Sequence, residues 1–111
     1  MNDEIRKNLQ DILDSIAGID QYIAEKRDFK EFERNRMMRK AIERELEIIG
    51  EATSRILKFQ PNITITNARS IVNMRNKVIH AYDAVNNTIV WAIVTNHLPL
   101  LKAEIQGLIS R

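Results

Sequence analysis

Six apolar residues spaced alternately four and three apart, Ile5, Leu9, Ile12, Ile16, Ile19 and Ile23, constrain the fold of this chain more than any other feature. At about 3.6 residues per turn they fall on one side of a helix and form a continuous seam. A strand would send the same residues to both faces, so no sheet can bury them together. Leu13 widens the stripe towards what a core-facing helix needs. Gly18 is the weak point, at about 1 kcal/mol relative to alanine. The spacing predicts a helix over 3–26, buried along one side.

Such a seam has to be covered by other helices, and the remaining sequence supplies them. Asp28 with Glu31 three positions on resembles a capping pair and starts a second helix near Phe29. Met38, Ile42, Leu46, Ile49, Ala52 and Ile56 carry that helix to about Gln60, where Pro61 disfavours helical geometry. The second helix is long, and its early basic part extends beyond the core or bends. Thr66 or Asn67 is the next N-cap. It opens a third helix through Ala68, Ile71, Val72, Val78 and Ile79 that ends around His80 to Tyr82. A turn at 83–87 leads into the fourth. There Ile89 to Val94 are consecutively apolar, as in a helix buried on more than one side, at a bundle centre or a subunit interface. Pro99 removes a backbone hydrogen bond and should kink the chain after Asn96 or His97. With 111 residues, 44% apolar and 29% charged, the chain has room for one domain, 1–111, with a single core. The expected fold is all-α, an antiparallel four-helix bundle with short connections.

Cysteine is absent, which excludes disulfides and thiol chemistry. No run has the length of a membrane span and the N-terminus has no signal-peptide core, so a cytoplasmic protein is expected. The net charge of +2 says little about partners. Lys26, Arg27, Lys30, Arg34, Arg36, Arg39, Lys40 and Arg44 lie in one stretch, but Asp28, Glu31, Glu33 and Glu43 interrupt them. That stretch reads either as an RNA-facing surface or, more simply, as a solvated face with intrahelical ion pairs.

The chemistry-bearing segment is Arg75-Asn76-Lys77-Val78-Ile79-His80-Ala81-Tyr82-Asp83. Arginine grips a phosphodiester with a planar, permanently charged fork. Histidine can move a proton near neutrality, and tyrosine offers a hydroxyl that can be modified. On an ideal helix Arg75 and His80 lie about 140° apart and about 7.5 Å along the axis, so they do not converge unaided. Unwinding after Ile79 would join them at one phosphate, and so would a second copy facing the first across a dimer axis. Taken singly, each residue also has a plainer use. Arg75 could sit in a surface ion pair, His80 could face a helix C-terminus, Tyr82 could edge the core, and Asn76 could bond local backbone. His97, beside Pro99, reads as a satisfied core or interface histidine. Glu47 and Glu51 could join a metal site but read better as ion-paired, and Met37 and Met38 as packing. There is no glycine-rich phosphate loop and no Gly-x-Ser-x-Gly.

Arg, four residues, His, one residue and Tyr, with Asn straight after the Arg, resembles the motif of the HEPN superfamily and, within it, of the HepT-like toxins. Arg75, Asn76, His80 and Tyr82 match it position by position. The segments Ala41 to Ala52 and Val90 to Leu101 also look like that family's second and last helices. Many relatives carry a tryptophan just before the third helix, where this chain has Ile65. The resemblance implies a helical homodimer whose motif helices meet at the interface. It implies a metal-independent, cofactor-free endoribonuclease acting as the toxin of a type VII-like toxin–antitoxin pair, with Arg75 and His80 catalytic and Asn76 supporting. It also implies a small nucleotidyltransferase partner of the MntA type that silences the toxin by AMPylation of Tyr82. The competing reading is a non-catalytic nucleotide- or RNA-binding accessory subunit of such a transferase.

Overall fold

A computed structural model describes residues 2–23, 27–73 and 87–110 of the chain. Helix α1 spans Asp3–Ile23, and all six seam residues are buried along it. Helix α2 spans Phe29–Arg34 and α3 spans Arg36–Phe59. Residues 68–73 form the described part of α4. Helix α5 (Asn87–Ala92) runs through a π-turn at Ile93–His97 into α6, Leu98–Ile109. Among the described residues there is no strand, in agreement with the all-α expectation.

Helices α1 and α3 run antiparallel. Arg55 Nη1 meets Asn8 Oδ1 at 3.5 Å, whereas Ser15 Oγ meets Glu45 Oε1 at 3.4 Å, so positions rise on one helix as they fall on the other. Their shared core contains Leu9, Ile12, Ile16 and Ile19 from α1 with Ile42, Leu46, Ile49 and Ile56 from α3. Each such side chain stabilises the fold by about 1.5–3 kcal/mol relative to exposure. At Gly18 an added Cβ would run into the Glu45 carboxylate, which also accepts from Tyr22 Oη at 3.4 Å. The residue that is weakest for the helix is therefore where α3 comes closest.

The expected second helix is two. Asp28 caps α2 as anticipated, its Oδ1 accepting from Lys30 N at 3.0 Å. Asn35 then leaves helical geometry at φ −95° and ψ 94°. Its backbone N–H closes α2 on Glu31 O, and its side chain caps α3 by accepting from Met38 N at 3.0 Å. The bend lets Phe29 and Phe32 fold onto Trp91, with ring centroids 6.3 and 5.3 Å from it.

Pro99 acts as expected in kind, but the turn before it is rebuilt. In the π-turn, Leu98 N–H bonds Ile93 O, one residue further back than in an α-helix. The widened turn draws the Thr95 carbonyl away from the proline ring, relieving the clash that a proline imposes on a regular helix. Thr95 Oγ1 donates to Trp91 O at 2.9 Å. The apolar run before it is not buried all round within the protomer. Val90 and Val94 are buried and Trp91, Ala92 and Ile93 half-buried, while Ile89 is 56% exposed, because α5 packs inward along one line only. Leu100, further along, is 68% exposed.

Candidate functional site

The chain approaches the motif through a loop held on two sides. Gln60 closes α3 on Ile56 O, and Ile63 N then bonds Gln60 O at 3.1 Å. Ile63 and Ile65 are buried, so Ile65 fills a core place at the position where relatives carry tryptophan. On the outer side Glu104 of α6 holds Thr66. The Thr66 backbone N–H lies 3.2 and 3.1 Å from the two carboxylate oxygens, and its hydroxyl donates to Oε2 at 2.7 Å. Asn67 follows at φ 61°, in the left-handed region that asparagine tolerates better than most residues. Its carbonyl accepts the first helical bond of α4, from Ile71 N at 3.0 Å. Asn67 is thus the N-cap by backbone, one of the two expected positions, and Thr66 serves the clamp.

Along α4, Ala68, Ile71 and Val72 pack against the core, while Arg69, Ser70 and Asn73 face out. Arg75, Asn76, His80 and Tyr82 lie outside the described residues. The chain is described again from Asn87, where Val90 and the Trp91 aromatic cluster anchor α5. The motif therefore lies between two segments packed onto the core.

Other candidates resolve more directly. Glu47 and Glu51 are engaged by cations: Arg44 Nη1 lies 3.1 Å from Glu47 and 3.9 Å from Glu51, and Arg55 lies 3.7 Å from Glu51. No group of three or more metal-type ligands occurs among the described residues. His97 is not a core histidine; it is exposed at the end of the π-turn, since the seam there passes through Val94 and Leu98. Met38 packs against the core as expected, but Met37 is 83% exposed because the Asn35 bend rotates it outward.

The basic stretch is partly consumed by the fold. Arg27 pairs with Asp20, Lys40 with Glu43, and Arg44 with Glu47. The Arg39 guanidinium turns back to the Glu33 carbonyl. Lys30, Arg34 and Arg36 remain exposed, and Lys26 lies outside the described residues. Sequence patterns missed Glu104 and Glu45. Each acts across a long stretch of chain, on Thr66 and on Ser15 with Tyr22, and no local spacing signals such a contact.

Comparison with known proteins bears on the same segment. The family described as ribonuclease HepT-like matches residues 12–108. A Methanocaldococcus jannaschii protein provisionally named an RNase is 33% identical over 104 residues, covering 93% of this chain and 94% of its own. A Thermococcus cleftensis protein provisionally named ribonuclease HepT is 34% identical over 104 residues, covering 90% and 91%. A Caldanaerobacter subterraneus protein, also provisionally named an RNase, is 31% identical over 84 residues, covering 75% of each chain. No solved structure gives a significant match.

Proposed function

Because the chain belongs to the HepT-like ribonuclease family, we propose that it is an endoribonuclease that cuts RNA with Arg75 and His80. One observation carries this reading: the family match runs unbroken across the segment in which Arg, four residues, His, one residue and Tyr occur in order. Arg75 neutralises the scissile phosphate and the charge that grows on it in the transition state. His80 takes the proton of the ribose 2′-hydroxyl as that oxygen attacks phosphorus. The leaving 5′-oxygen receives a proton from a second imidazole, His80 of the other protomer of a homodimer. Asn76 orients the ring or the phosphate. Side chains supply both the proton transfers and the charge neutralisation, so the scheme runs without a metal ion.

The finer reading makes the protein the toxin of a toxin–antitoxin pair with a minimal nucleotidyltransferase. AMP placed on Tyr82 would block an anion-binding cleft by volume and by charge. Cleavage of labelled RNA in chelator tests the central step. The purified chain cuts, and His80→Ala cuts about 10²- to 10⁴-fold more slowly. RNA that is bound but left intact, with no effect of His80→Ala, would mark a binding module instead. Silencing is tested by intact mass after incubation with the transferase and ATP: one AMP is added to the parent and none to Tyr82→Phe.

A further inference from the structure

We propose that Glu104 is a positioning residue for the Arg75–His80 site, acting through Thr66 at the head of α4. The inference rests on the ribonuclease reading and adds to it the element that aims the motif. Glu104 accepts both donors of Thr66, the backbone N–H and the hydroxyl, and the 2.7 Å bond to the hydroxyl is a charge-assisted contact of the stronger kind. Two donors from one residue meeting one carboxylate fix that residue in direction as well as in distance.

The clamp sits at a sensitive corner. Thr66 immediately precedes Asn67, the single left-handed residue at which the chain turns into α4. The inner side of the loop is held by Ile63 and Ile65, whose burial is non-directional and leaves the helix free to tilt. Glu104 supplies the direction. It stands on α6 between Leu101 and Ile105, both buried, so its base is as fixed as the core itself. Arg75 follows Thr66 by nine positions. If the helix continues, that is about 13.5 Å along its axis, where a tilt of about 5° displaces a side chain by about 1 Å. Misplacement on that scale can cost up to about 10²-fold in rate.

The test uses the full chain with Glu104→Ala, Glu104→Gln, Thr66→Val and Thr66→Ser, and Asn35→Ala as a destabilised control remote from α4. Steady-state cleavage of labelled RNA, amide exchange over 66–73 and thermal melting are read on each. Glu104→Ala should lower kcat about tenfold with KM within about twofold, and speed exchange over 66–73, while Tm falls by only a few degrees. Glu104→Gln and Thr66→Val should fall between it and the parent, and Thr66→Ser should rescue. An unchanged kcat in Glu104→Ala overturns the proposal, as does an equal loss in Asn35→Ala, which would make the effect one of stability alone. A parent that cuts no RNA defeats the ribonuclease reading and the catalytic role of the clamp with it. The exchange measurement then still reports separately whether Glu104 holds the head of α4.

Discussion

The α1–α3 pair and the head of α4 are fixed to the same core by different physics. Between α1 and α3, buried isoleucines and leucines from both helices interdigitate over several turns, and polar contacts such as Asn8 with Arg55 lie beside them. At the head of α4 two isoleucines go inward, and the rest is one carboxylate, one hydroxyl and one left-handed asparagine. Burial is roughly proportional to area and indifferent to direction, so the first region is strong and forgiving. Hydrogen bonds to a single residue are directional, so the second is weaker but sets an orientation. A scaffold needs the former property and a catalytic helix the latter.

If that division holds, the two regions respond to mutation through different observables. The largest effect belongs to the site: His80→Ala should slow cleavage by about 10²- to 10⁴-fold while the melting temperature stays near that of the parent. A comparable loss of stability in that variant would erase the distinction. In the scaffold, Leu46→Ala should destabilise by about 2–5 kcal/mol, read by denaturant unfolding, with kcat per folded molecule unchanged. Asn35→Ala removes the side-chain cap of α3 and should cost about 1 kcal/mol, seen in the same unfolding measurement. Gly18→Ala should shift stability by less than about 1 kcal/mol. The gain in helix propensity offsets the displacement of the Glu45 carboxylate from Ser15 and Tyr22. A large loss there would show that those polar contacts matter as much as the seam.

Much of the scaffold was legible because periodicity is a local signal. The seam from Ile5 to Ile23, the Asp28 cap, the stop before Pro61 and the start of α4 can each be read within a few residues of chain. The break at Asn35 was not, because it interrupts no apolar period and involves neither proline nor glycine; an asparagine costs a helix interior little, so its capping role shows only in backbone geometry. Pro99 announced a disturbance without saying that a widened turn would absorb it. Exposure of Ile89 and Met37 depended on which way neighbouring elements face, which composition does not encode. The candidate site divides in the same way. Arg75, Asn76, His80 and Tyr82 stand out by residue type and spacing, and they lie outside the described residues. The Glu104–Thr66 contact, joining positions 38 apart, needed coordinates to be found.

The central claim is that arginine and histidine from paired subunits share one phosphodiester, and mixing two inactive variants tests it most directly. Arg75→Ala and His80→Ala chains are unfolded together, refolded as a mixture and assayed for RNA cleavage beside each variant alone. In a mixed dimer one composite site regains both groups, so the mixture should recover about a quarter of the parent rate, half of the dimers being mixed with one of two sites intact. Single variants that already cut as fast as the parent, or a mixture as inactive as its components, would contradict the account.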